Sequence, residues 1–127
     1  LVSGVLSTLS GSIPSETIGA LAFQRIDEIL DRARGVLGPG QAIARDFLAS
    51  RPELECLIPI GGAVVFPRLR QVADAEPFVE LAMEKFDVGV TPGRLFGAPA
   101  HFRIAVAGPR DVLKSGLTAL GNALDFW

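Results

Sequence analysis

The sequence predicts an α+β fold: a small, mostly antiparallel sheet of about four strands covered by helices, in the order ααββαββα. Two observations predict it. Apolar residues recur at helical spacing in four stretches of the chain. Between those stretches lie short β-rich runs bounded by Gly and Pro. The order helix, helix, strand, strand, helix, strand, strand, helix is that of a small sheet with helices packed on it. The 127 residues are expected to form one domain, 1–127, with enough length to bury a core.

The first helix is expected within residues 11–37. Ser12 can serve as N-cap, Pro14 sits in the first turn, and Glu16 favours the positive helix end. Ile18, Leu21, Ala22, Ile26, Ile29, Ala33 and Val36 recur at helical spacing, with Asp27, Glu28, Asp31, Arg32 and Arg34 mostly on the other, solvated side. Gly38, Pro39 and Gly40 interrupt this pattern. Pro39 removes a backbone donor, so the helix is expected to end or kink there. A second helix over 41–51 uses Ala44, Phe47 and Leu48 as apolar contacts, and Pro52 stops it. Residues 55–69, "ECLIPIGGAVVFPRL", read as two short strands around a Pro-Ile-Gly-Gly turn. A helix over 74–86 can be capped by Asp74 and turns Phe78, Leu81, Ala82 and Phe86 inward. Strands follow at 87–91 and 101–107. The closing helix, 108–124, carries the stripe Leu113, Gly116, Leu117, Leu120 and Leu124.

Composition excludes several classes of function. Hydrophobic residues make up 49% and charged residues 20%, and the formal charge of −2 leaves no electrostatic footprint for nucleic acid or an anionic membrane. No apolar run approaches the roughly 20 residues that span a bilayer. The first ten residues lack the basic start of a signal peptide. Cys56 is the only cysteine, so neither an internal disulfide nor a thiol zinc cluster is expected, and a cytoplasmic compartment is the default. Cys56 itself reads as a small core residue. The only methionine is Met83, so the chain is expected to be processed or to be a segment of a longer protein. Residues 1–12 are then a linker, or the tail of an element belonging to other sequence.

One charge stands out. In "HFRIAVA", residues 101–107, Phe102, Ile104 and Val106 share one face, while His101, Arg103, Ala105 and Ala107 share the other. An arginine among alanines leaves room beside it. Its planar fork suits a carboxylate held by two parallel hydrogen bonds. The strand alone favours the plainer readings, a structural ion pair or an edge arginine reaching solvent. The preceding loop, "TPGRLFG", places Gly93 and Gly97 around Phe96, where glycine permits positive φ and close backbone approach.

The pieces "PIGGAVVFPRL" (59–69), "FDVGVTPGRLFG" (86–97), "HFRIAVAG" (101–108) and the closing helix, taken in that order, resemble the C-terminal small domain of fold type I, pyridoxal-phosphate-dependent aminotransferases of classes I and II. The resemblance covers roughly residues 12–126, and its most specific part is the pattern "V.V.PG..FG....FRI". It implies that Arg103 binds the substrate α-carboxylate. It also implies that the strand bearing Val64 starts near the substrate side chain. There small residues such as Ala63 and Val64 would leave space for a larger or apolar substrate, although ordinary β-core packing also accounts for them. The cofactor implied is pyridoxal phosphate, bound in the parent protein by a lysine that this chain does not supply. Lys85 and Lys114 both fall on predicted helices, outside the family's lysine motif. By itself the chain is therefore expected to be inactive. The implied partners are an amino acid or 2-oxo acid, a large domain on the same polypeptide, and a second copy of the parent in a homodimer. Arg68, Arg94 and His101 read as surface or structural groups. Phe126 and Trp127 are expected to pack back on the domain or to cover a surface meant for the large domain. An aminotransferase-like ligand-sensing domain of a transcription regulator, and a purely structural module, remain alternatives.

Overall fold

A computed structural model describes residues 12–127, so the linker expected at 1–12 lies outside the described residues except for Ser12. The chain divides into two units, residues 1–33 and 34–127. In the first, helix α1 (Ile13–Gln24) has Ser12 at its N-cap. The Ser12 hydroxyl pairs with that of Ser15 at 2.9 Å and caps no helix N–H. The helix ends at Arg25, whose N–H turns back to Ala22 O at 3.0 Å. No side chain of α1 is buried; Ile18 and Leu21 are 68% and 57% exposed, so the apolar stripe read from their spacing has no cover among the described residues.

Helix α2 (Ile26–Ala49) runs straight through the Gly-Pro-Gly sequence that was expected to interrupt it; the break lies at Arg25 instead. Packing of the second half of the helix overrides the lost donor of Pro39. Gly40 is buried so close to the chain just after Ala105 that a Cβ there would collide with Val106 O. Gln41 Nε2 donates to Gly62 O at 2.8 Å, and Ala44 and Leu48 are buried in the core. The glycine thus serves a close helix-to-strand contact rather than a helix end.

Five short strands form two antiparallel sheets in the second unit. Strand β1 (Leu54–Glu55) pairs with β3 (Arg68–Leu69), and β2 (Val64–Val65) pairs with β5 (Phe102–Ala105). The two strands expected around the Pro-Ile-Gly-Gly turn thus pair at the ends of the segment, and its second half pairs with β5 as well. Residues 63–69 run along 100–106, with Val106 N donating to Ala63 O (2.8 Å), Phe102 N to Pro67 O (3.0 Å) and Leu69 N to Ala100 O (2.9 Å). Pro67 has no N–H to give, and the ladder is cut there into β2 and β3. Strand β4 (Thr91–Pro92) takes the other edge of β5.

The helices cover one face. Phe78 of α3 (Glu76–Phe86) meets Phe102 at 5.4 Å between ring centroids, and both are fully buried. The N-cap of α3 is Ala75, which makes no side-chain cap; Asp74, the residue expected to cap it, lies one position earlier and its Oδ1 accepts the N–H of Glu76 at 2.9 Å. Helix α4 (Arg110–Phe126) buries Leu117, Leu120 and Leu124. Phe126 and Trp127 do pack back, edge-on to Phe86 and Phe78 at 5.8 Å each, while staying half exposed. Arg51, just after α2, is clamped by Asp125 and Glu53, and its hydrogen bond to Asp125 is the main cause that raises its pKa. Cys56 is partly buried against the core, and burial pushes its thiol up; a backbone hydrogen bond from Phe66 opposes this.

Two tests follow from this packing. Alanine is intrinsically better than glycine in a helix by about 1 kcal/mol, yet Gly40→Ala drives a Cβ into the backbone oxygen of Val106. It lowers stability by about 1–3 kcal/mol, the usual range for overpacking. Gly121→Ala meets side-chain atoms alone, the end of Arg51 and the Phe47 ring, and costs less than Gly40→Ala, since Arg51 can shift at the expense of its exposed ion pairs; urea unfolding midpoints of the two variants compare them. The raised Cys56 thiol loses its proton later in the folded chain than in the unfolded one. Its stability contribution is present below the ordinary thiol value and is lost as pH rises through the folded value. Alkylation by iodoacetamide, followed against pH in native buffer and in urea, shows its inflection at higher pH in the native chain.

Candidate functional site

Strand β5 is hydrogen-bonded on both edges, so its side chains alternate cleanly. Phe102, Ile104 and Val106 are 0%, 6% and 1% exposed and face the helices. Arg103 and Ala105 point the other way. Their cross-strand partners share that face: Thr91 opposite Arg103, and Val64 opposite Ala105. Thr91, Val64 and Ala105 are the small residues beside Arg103 on this face, and His101, Phe66 and Arg68 lie further along it. Val64 is 39% exposed on it rather than packed in the core.

Arg103 is half-buried, and among the described residues no carboxylate pairs with it. Its one polar contact is long, Nη2 to Thr91 Oγ1 at 3.4 Å. Its guanidinium carbon lies 5.0 Å from the centroid of the Phe96 ring. Arg68 and Arg94, also near the sheet, are committed elsewhere: Arg68 pairs with Glu55 at 3.6 Å, and Arg94 with Glu76.

The loop before β5 explains where Phe96 comes from. Residues Gly93–Phe96 form one turn of 3₁₀ helix, closed by Gly97 in the left-handed region (φ 72). Gly93 N donates to His101 O at 2.8 Å, Ala98 N to Gly93 O at 3.0 Å, and His101 N to Ala98 O at 3.0 Å. A Cβ on Gly93 would lie 2.3 Å from Ala98 O and 2.4 Å from His101 O, so only glycine fits. The turn is thereby tied to the start of β5. Phe96 meets Phe66 edge-on at 5.7 Å, and Phe66 stacks on the His101 ring at 5.0 Å. His101 does share the Arg103 face, but its Nδ1 is buried without a hydrogen-bond partner, and the ring serves as a stacking surface.

The lysines lie away from this face. Lys85 Nζ sits 4.3 Å over the Phe126 ring, and Lys114 is exposed on α4. Both belong to helices that pack on the buried side of the sheet. An apolar groove of about 580 Å³ opens between α4, the end of β5 and residues 86–90, but Arg103 does not line it. Sequence reasoning singled out Arg103 and the side of β5 that it shares with Ala105. It missed the aromatic set of Phe66, Phe96 and His101, because contacts across a turn and two strands leave no periodic signal.

Residues 21–120 match the family described as Aminotransferase class I and II. Capreomycidine synthase of Streptomyces vinaceus is 30% identical over 118 residues, which are 92% of this chain and 30% of that protein. Among solved structures, the α-aminoadipate aminotransferase LysN of Thermus thermophilus, complexed with N-(5'-phosphopyridoxyl)-L-leucine, superposes with a TM-score of 0.72 at 26% identity, covering 86% of this chain and 30% of its own. A PLP-dependent aminotransferase of Streptococcus suis superposes with a TM-score of 0.74 at 21% identity, covering 95% and 32%, a likeness of fold. The chain thus spans about a third or less of the length of the relatives it matches.

Proposed function

The chain belongs to the class I and II aminotransferase family, and on that premise we propose that it is the small domain of a pyridoxal-phosphate-dependent aminotransferase, moving an amino group between an amino acid and a 2-oxo acid. In this reading Arg103 receives the substrate α-carboxylate. The observation that carries it is a half-buried guanidinium without a carboxylate partner on an open, small-residue sheet face. Of the two other readings of that arginine, a structural ion pair would need an acid that pairs with it among the described residues, and an arginine merely reaching solvent predicts no loss of turnover on its removal.

A carboxylate arriving edge-on to the fork takes two parallel N–H···O bonds, which fixes both its position and its plane. Both the amino acid and the 2-oxo acid carry this carboxylate, so one arginine serves both halves of the exchange. Holding it orients the rest of the substrate and lowers the entropic barrier to reaction. Val64, half open on the same face two positions along the ladder, borders the space for the substrate side chain. Its small apolar surface favours an apolar or bulky group there.

The residues present do not by themselves fit pyridoxal phosphate. Neither lysine stands on the Arg103 face, and the second arginine on it, Arg68, is paired with Glu55. The chain alone is accordingly proposed to be inactive. The cofactor, its lysine and the opposite wall of the cleft belong to the large domain of the full-length protein. The parent is proposed to be a cytoplasmic homodimer, as the resemblance implies.

The test uses the full-length protein and the absorbance change of its cofactor when each proteinogenic amino acid is added in turn. Arg103→Ala is expected to lower kcat/KM for the best amino acid by about a hundred- to a thousandfold, on the scale of losing one member of a desolvated ion pair. Arg103→Lys keeps the charge and loses the fork, so it falls between the two. Unchanged kcat/KM in Arg103→Ala places the carboxylate elsewhere and ends this reading.

A further inference from the structure

We propose that Phe96 is a positioning residue that holds the Arg103 guanidinium ready for a carboxylate, acting through its aromatic face. The inference rests on the proposed carboxylate-binding role of Arg103. It starts from a problem that role creates. A long, flexible arginine without an acidic partner has many rotamers, and each substrate that docks must freeze them. An acid on the protein would hold the side chain but would occupy the fork. An aromatic ring holds a cation without supplying any acceptor to its N–H donors.

Phe96 meets that requirement. Its ring centroid lies 5.0 Å from the guanidinium carbon. The ring itself is held from several sides. It ends the 3₁₀ turn closed by Gly97, it meets Phe66 edge-on at 5.7 Å, and Phe66 is backed by His101 at 5.0 Å. The turn is bound to the start of β5 through Gly93 and tied to α3 by the Arg94–Glu76 ion pair. Yet Phe96 is 51% exposed, so core burial does not account for a large apolar side chain at this point. With Thr91 only a weak partner at 3.4 Å, the ring is the closest thing to a fixed support that Arg103 has.

The experiment compares Phe96→Leu, Phe96→Trp and Arg103→Ala in the full-length protein, using the amino acid that reacts fastest with wild type. Phe96→Leu keeps apolar bulk and removes the ring. It is expected to raise the half-saturating concentration about three- to tenfold, the range of a partly exposed cation–π contact, with a smaller effect on the limiting rate. Phe96→Trp restores wild-type affinity, which a mere space-filling role would not predict. In the free protein, phenylglyoxal labelling of Arg103, read by mass spectrometry, is faster in Phe96→Leu because the shielding ring is gone. If Arg103→Ala weakens binding while Phe96→Leu changes neither affinity nor labelling, the positioning role is wrong and the carboxylate role stands. Equal damage from Leu and Trp means that shape matters and the ring's face does not, which also overturns it. If Arg103→Ala has no effect, or no amino acid reacts, the reading of Arg103 fails and this inference goes with it.

Discussion

Strand β5 is paired along both edges, and the period of two that this imposes governs the rest of the second unit. With β2 and β4 taking its backbone groups, residues 102–106 have no freedom but to alternate. Phe102, Ile104 and Val106 form the floor on which α3 and α4 pack, and Arg103 and Ala105 are left outside. A slip of one residue would drive a guanidinium against Phe78 and expose three core side chains, so the buried face enforces the register. Gly40 reinforces it from the helix side, since its contact with Val106 O tolerates no added atom.

The contrast between two arginines shows what that open face means. Arg51 bridges Asp125 and Glu53, and these partners raise its pKa. It joins the end of α2 to α4, and its fork is fully used. Arg103 faces Thr91 and the Phe96 ring, neither of which carries charge. A chain that pairs Arg51, Arg68 and Arg94 with acids leaves Arg103 without one at the centre of its sheet. Surface arginines often lack partners, but this one is half-buried and flanked by side chains that are themselves tied down.

What could be read from the sequence was whatever repeats along it. The helical stripes of α3 and α4 and the alternation of β5 have a period, and the faces they predicted are the faces buried. The break at Arg25 was not legible, because it turns on local backbone geometry with no Gly or Pro to mark it. The Gly-Pro-Gly sequence misled for the opposite reason. Its local cost is real, but tertiary contacts at Gly40, Gln41 and Ala44 outweigh it. The pairing of 63–69 with 100–106 was hidden too, since Pro67 cuts the strand and the nearby Gly-Gly points only to the local pairing of 54–55 with 68–69. For the site, the charged residue was visible as an exception to its strand. Its aromatic support was not, because Phe66, Phe96 and His101 come together only after two turns and a sheet are in place.

An exposed guanidinium binds a carboxylate weakly in water: such pairs contribute about 0–1 kcal/mol because solvent competes for both ions. The same pair strengthens severalfold once water is excluded, as the effective dielectric falls. Arg103 has Thr91 and the Phe96 ring beside it and faces an open side, outside the apolar groove between α4 and the end of β5. Under the proposed function, then, geometry and strength come from different parts of the protein. This chain sets where the carboxylate sits, and a second wall decides how tightly it is held. Such a division suits a site that must bind and release two different acids in turn, because the tight state exists only while the walls are together. It also explains why an arginine can stand without an acidic partner at little cost. While the face is open, water satisfies its donors, and the expense of desolvation falls only when a substrate is there to offset it.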